Sequence, residues 1–127
     1  MTDHGERVDA IFGAFAAADF DRIREQFSAD FTIWHNNGSG EQDLEETIAS
    51  LRTLHSLFEQ FTFVVRHRMV VRDEVFQIHA LEGTLVDGVR FTLDAAVYLR
   101  FVDGQLIRME EFYDPAVVDG LLERRPS

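Results

Sequence analysis

The stretch Phe91–Asp114, FTLDAAVYLRFVDGQLIRMEEFYD, decides the fold. Phe91, Leu93, Ala95, Val97, Leu99 and Phe101 alternate with Thr92, Asp94, Ala96, Tyr98 and Arg100, the period-two pattern of a strand with one apolar face. Asp103-Gly104 is a hairpin signal, so Gln105–Asp114 returns antiparallel. Upstream, Asp87-Gly88 marks a second hairpin behind Val75–Leu85. A turn at Arg72-Asp73-Glu74 joins that strand to another, in which Phe61, Phe63, Val65, His67, Met69 and Val71 alternate with Thr62, Val64, Arg66, Arg68, Val70 and Arg72. The second half of the chain therefore reads as a four-stranded antiparallel meander.

The first half changes period. Val8, Ile11, Phe12 and Phe15 fall on one helical stripe, with Asp3 and Glu6 as a cap. Asp19 opens a short second helix through Phe27, and Phe31–Asn36 alternates as a short strand. Asn36–Gly40 is a loop by composition. Ser39 with Gln42 suggests a capping box for a third helix with the stripe Leu44, Ile48, Leu51, Leu54, Phe58. Asp114-Pro115 suits the start of a last helix, ending near Glu123. Helices first and strands after give an α+β fold, read as one domain over residues 1–127.

Composition removes whole classes of chemistry. The 127 residues contain no Cys, which excludes disulfides, thiolate metal sites and cysteine nucleophiles. All 12 basic residues are Arg, so lysine Schiff-base and P-loop lysine chemistry are excluded as well. A net charge of −11 repels phosphate backbones and anionic lipid, so neither nucleic acid nor membrane is expected as a partner. The apolar stretch Ile11–Ala18 follows Asp3, Glu6 and Asp9, the wrong charge for a secretory leader, and the expected location is cytoplasmic. The five histidines are scattered over separate elements, so no metal site is expected.

The element order resembles the NTF2-like superfamily, in its SnoaL-like and ketosteroid-isomerase-like branch. The residues that carry the resemblance are ADFTIWHN after two helices, EGTLVDG leaving the third long strand, YLRFVDGQLIRMEEFYD across the last hairpin, and Asp114 closing the sheet. The resemblance implies a cone with a deep apolar pocket between helices and a curved, mainly antiparallel sheet. It also implies a homodimer through the convex sheet face and no cofactor. Where ketosteroid isomerases place a catalytic Asp at the end of the first strand, this chain has His35; where they place an oxyanion-hole acid, it has Val97. Glu111 falls where polyketide-cyclase members carry an acid on the last strand, and dehydratase members are similar in using pocket histidines.

The hairpins offer a geometric test. Two-residue loops at both Asp-Gly turns would set His79 opposite Ala96 and Ala96 opposite Glu111, beside Asp94 and Tyr98 on the convex face. Three-residue loops would set His79 opposite Ala95 and Ala95 opposite Glu111, on the pocket face. Either way the two side chains flank an alanine, roughly 9–10 Å apart at the backbone; mixed loops would break the relation. We adopt the pocket reading, with His35, His79 and Glu111 as catalytic candidates. An imidazole titrates near about 6.5, and a carboxylate in an apolar pocket is disfavoured in its charged form.

Trp34, Asn36, His55 and Tyr113 are the substrate-binding candidates, Tyr113 as a hydrogen-bond donor on the same face as Glu111. Each of the first three also has a plainer reading: Trp34 as a core or rim aromatic, Asn36 as a turn former, His55 as a cation suited to a helix C-terminus. Asp94 fits a convex-face salt bridge with an Arg, and Arg66, Arg68 and Arg72 fit a solvated or subunit-pairing face. The expected function is cofactor-free proton transfer (isomerase, cyclase or dehydratase type) on a small apolar oxygenated molecule. The alternatives are a non-catalytic binding or dimerisation module and an epoxide hydrolase. The last would need an inward-pointing Arg, with Arg100 and Arg108 to check.

Overall fold

The computed structural model describes residues 3–123. Helix α1 (His4–Ala17) is capped by Asp3, whose side chain accepts from the Glu6 N–H, and α2 (Phe20–Gln26) is capped the same way by Asp19. Strand β1 (Phe27–His35) follows directly and pairs at its outer edge with the two-residue β2 (Glu41–Gln42). Helix α3 (Leu44–Leu57) runs into the long strand β3 (Phe58–Val71). The meander continues through β4 (Glu74–Leu85), β5 (Arg90–Val102) and β6 (Gln105–Tyr113), and closes in α4 (Pro115–Leu122) behind an Asp114 cap. The sheet order is β2-β1-β6-β5-β4-β3, antiparallel except where β1 runs parallel to β6. No helix among the described residues is long and apolar enough to cross a membrane.

One face of the sheet is covered by α1 and α3. Val8, Ile11, Phe12 and Phe15 of α1 and Ile48 and Leu51 of α3 meet Val75, Leu81, Val97, Leu99 and Met109 from the strands in a single core. The expected helix stripes and the expected apolar face of β5 are the surfaces that meet here. The uncovered, convex face carries Phe76, Ile78 and Phe112 about two-fifths exposed.

Three local expectations are corrected. The capping box of α3 is Asp43 with Glu46, each side chain bonded to the other's backbone N–H; Gln42 is drawn into β2 and Ser39 instead bonds the Asn37 carboxamide. β1 starts at Phe27 rather than Phe31, because α2 ends at Gln26 and Phe27 is already extended, at φ −105° and ψ 139°. The third concerns the hairpins, whose loops are mixed. The β4–β5 turn holds three residues, Val86–Gly88, with Gly88 at φ 87° and the Leu85 N–H bonded to Val89 O. The β5–β6 turn holds two, Asp103-Gly104, at φ 52° and 79°, a left-handed pair that suits the strand twist. A bulge then adds one residue to β6, since Phe101 opposes Leu106 while Arg100 opposes Arg108.

Another bulge, in β3 between Val65 and His67, has a larger effect. Before it Val65 opposes His79; after it Arg68 opposes Gln77. Strict alternation puts Arg68 on the convex face with Arg66. The extra residue turns its side chain to the face packed by α1 and leaves His67 exposed.

Candidate functional site

Between the sheet and its helices lies a cavity of about 380 Å³. Its wall is mostly apolar, with Phe12, Leu51, Leu54, Leu93 and Met109 among the lining residues, and its polar groups are few: His35, His79, Glu111, Tyr113 and the short side chains of α3 and the 37–42 segment. All three catalytic candidates therefore line one cavity, on the concave face.

Their pairing differs from expectation. His79 opposes Ala95, as three-residue loops require, but Ala95 opposes Tyr113, and Glu111 sits opposite Val97. The two-residue second turn and the β6 bulge together displace Glu111 by two positions on the same face. It thus sits beside the neighbouring parallel strand, where His35 is its register partner. His35 Nε2 lies 3.4 Å from Glu111 Oε1, with both side chains about four-fifths buried. The close partner of Glu111 is therefore His35. The expected His79–Glu111 pair is replaced by a longer-range interaction.

Asn36 holds this junction together. Its N–H donates to Glu111 O, its carboxamide N–H donates to Tyr113 O, and its carboxamide oxygen accepts from the Tyr113 N–H. Asn36 is outside the cavity wall, and these bonds make it a positioning residue for β1 against β6. The adjacent Asn37, overlooked in the sequence, lines the cavity and donates to the Tyr113 hydroxyl at 3.1 Å. That leaves the Tyr113 O–H proton free to point at a ligand. Burial first, and then the Glu111 charge, raise the Tyr113 hydroxyl above its usual pKa, so it remains a donor at neutral pH.

His79 is only 1% exposed and stands edge-on to Phe12 and Phe63. Burial lowers its pKa; the Glu111 charge opposes that shift and the Arg68 charge adds to it. Its one hydrogen-bond partner among the described residues is Gln77, whose Nε2 lies 2.8 Å from His79 Nδ1. Gln77 was also overlooked, although Val75, Gln77, His79, Leu81 is a buried face with two successive polar residues.

Trp34 and His55 are not part of the cavity wall. Trp34 points to the convex side and packs edge-on against Phe112. His55 turns toward α1, where its Nε2 is 2.7 Å from Phe15 O, and its ring lies tilted against Phe61. Arg108 pairs with Glu41 and Glu110 and donates to Thr32, while Arg100 is exposed. Neither lines the cavity, and no Asp–Arg–Asp arrangement is formed in its wall among the described residues. Among the described residues, no group of three or more His, Asp or Glu side chains could hold a metal ion.

A helix-covered, curved sheet enclosing an apolar hollow with an acid–imidazole pair at its β1–β6 seam defines an NTF2-like cone. The chain belongs to the family of SnoaL-like domains, whose sequence pattern matches residues 8–109. A search of curated proteins gives no match. Among solved structures, wild-type IdmH from Streptomyces antibioticus, described as a candidate polyketide cyclase, superposes with a TM-score of 0.82 at 17% identity, over 96% of this chain and 99% of that one. TerC, co-crystallised with polyporic acid, gives 0.77 at 22% identity over 93% and 96%. A SnoaL-like polyketide cyclase candidate from Jannaschia sp. CCS1 gives 0.77 at 22% identity over 96% and 92%. At these identities the likeness establishes the fold.

Proposed function

We propose that the protein is a cofactor-free enzyme that moves a proton at carbon in a small, largely apolar oxygenated molecule, in an isomerisation, cyclisation or dehydration. The observation that carries this reading is the His35–Glu111 pair, 3.4 Å apart in the cavity wall. Such a pair can accept a proton from an acidified C–H: with the imidazole neutral it carries one negative charge before the step and none after. The proton is then shared between Nε2 and Oε1, and is returned at another carbon or to a leaving hydroxyl. The carbon's bonding electrons become an enol or enolate, whose oxygen the Tyr113 hydroxyl can meet. The separation is longer than a normal hydrogen bond, as is common before substrate tightens a site. The polyketide chemistry in the names of two structural relatives is compatible with this substrate class.

The probe is 2-tetralone, an apolar ketone with acidic α-hydrogens, followed by ¹H NMR in D₂O. The protein should accelerate α-hydrogen exchange above buffer, and His35→Ala should lower the rate by roughly 10²–10⁴-fold, the usual effect of a general base. Exchange no faster than in buffer, with 2-tetralone bound in the cavity, would instead favour a non-catalytic binding module.

The same proposal includes a second copy of the chain on the convex sheet face. Phe76, Ile78 and Phe112 form its exposed apolar centre, flanked by the Arg66–Asp94 and Arg108–Glu110 pairs. A two-fold axis through this centre would bring the apolar patch against itself. Native mass measurement should give a dimer, and Ile78→Asp a monomer. A cytoplasmic location is compatible with the SnoaL-like fold and is part of the same proposal.

A further inference from the structure

A polar chain runs from the surface of α1 into the cavity. Asp9 of α1 pairs with Arg68, Arg68 Nε donates to Gln77 Oε1 at 2.9 Å, and Gln77 Nε2 lies 2.8 Å from His79 Nδ1. The β3 bulge makes the chain possible by turning Arg68 to this face. Gln77 and His79 are each 1% exposed, so the inner links are shielded from exchange with bulk water.

The donors fix every proton in this chain. A guanidinium has only N–H groups, so the amide must turn its oxygen toward Arg68. The amide NH₂ then faces the imidazole and donates to Nδ1, which must present a lone pair. A neutral imidazole with a lone pair at Nδ1 carries its proton at Nε2. Protonation of Nδ1 would set N–H against N–H, so the same chain disfavours the imidazolium. Nε2 sits across the ring from Gln77 and has no hydrogen-bond partner among the described residues. Gln26 Oε1 is the one buried unpartnered side-chain polar atom among the described residues, so Nε2 reaches the cavity surface instead of being sealed in protein.

We infer that the Asp9–Arg68–Gln77 chain holds His79 as a fixed Nε2–H donor, and that the cavity takes an uncharged carbonyl compound whose oxygen accepts from His79. His79 thus supplies no base; Gln77 is a positioning residue for it. This rests on the proton-transfer reading above: when the α C–H bond breaks, the proton goes to the His35–Glu111 pair, the electron pair becomes the enolate, and the oxygen charge meets His79 Nε2–H. Among the described residues the cavity wall contains Glu111 and no Arg. Glu111 would therefore repel a carboxylate ligand, whereas a neutral carbonyl needs only the donor.

The test is long-range ¹H–¹⁵N NMR of ¹⁵N-histidine protein at pH 7.5, with the His79 signals assigned by their loss in His79→Gln. The expected spectrum shows the Nε2–H tautomer in the free protein. Gln77→Glu, whose carboxylate can only accept, should move the proton to Nδ1, whereas Gln77→Leu should leave the two tautomers mixed. Addition of 2-tetralone should shift His79 Nε2, and 2-naphthoate at the same concentration should not. An Nδ1–H tautomer in the wild type, or an unchanged tautomer in Gln77→Glu, overturns the inference. So does equal response to the ketone and the carboxylate, or no response to saturating 2-tetralone. The tautomer is read without turnover, so this result is separate from loss of exchange in His35→Ala: either can fail while the other stands.

Discussion

His79 gives the sharpest link between burial and pH. It is almost wholly enclosed, and burial together with Arg68 outweighs Glu111 in lowering its pKa. In the unfolded chain the ring titrates near about 6.5. Between that value and the lower folded one, the unfolded state binds the extra proton, so stability falls as pH drops below about 6.5 and is regained as pH rises through it. The slope for one group cannot exceed about 1.4 kcal/mol per pH unit. From pH 6.5 to 5.0 the His79 contribution therefore reaches at most ~2 kcal/mol, if the ring stays neutral throughout. The perturbation is His79→Phe, which keeps an aromatic ring beside Phe12 and Phe63 and removes the titration. Urea unfolding at pH 8.0, 6.5 and 5.0 measures both proteins. The wild type should lose more stability on acidification than the variant, with the difference confined below about pH 6.5. Parallel pH dependences would refute the reasoning, because His79 would then titrate alike in both states.

Three other substitutions test the supports of the site. An alanine Cβ at Gly83 would sit 2.5 Å from Gln60 O and 2.7 Å from Phe61 Cβ, so Gly83→Ala should destabilise by ~1–3 kcal/mol in thermal or urea melts. Asn36→Ala removes both side-chain bonds to the Tyr113 backbone and should cost ~1–3 kcal/mol; it should also lower 2-tetralone exchange, since His35 loses its fixed place beside Glu111. Asp43→Ala breaks the capping box of α3 and should cost ~1 kcal/mol with little effect on exchange, as Asp43 is exposed and outside the cavity wall.

Most of the architecture was legible because it rests on periodicity. The β5 alternation, the α1 stripe and the Asp-Gly turns each constrain several residues at once, and the folded elements follow them. The site was legible only to the level of a face. Choosing which strand neighbours meet requires residue-level register, and two bulges plus one short turn shift that register by single residues. Glu111 thereby acquired His35 as its partner instead of His79, and Arg68 left the convex face for Gln77. No composition signal marks those bulges. Trp34 and His55 fall outside the cavity wall because the folded chain turns Trp34 to Phe112 and His55 to α1, directions that the sequence does not encode locally. Gln77 was the readable omission, a second polar residue beside His79 on a buried strand face.

The central claim is that His35 and Glu111 work as one proton acceptor inside the cavity. A double-mutant cycle on 2-tetralone α-exchange measures it directly, with His35→Ala, Glu111→Gln and the combined variant compared with wild type. Groups that act as a unit fail together, so the double variant should exchange no more slowly than the slower single variant. Fully multiplicative losses, or single variants that exchange at the wild-type rate, would contradict the account.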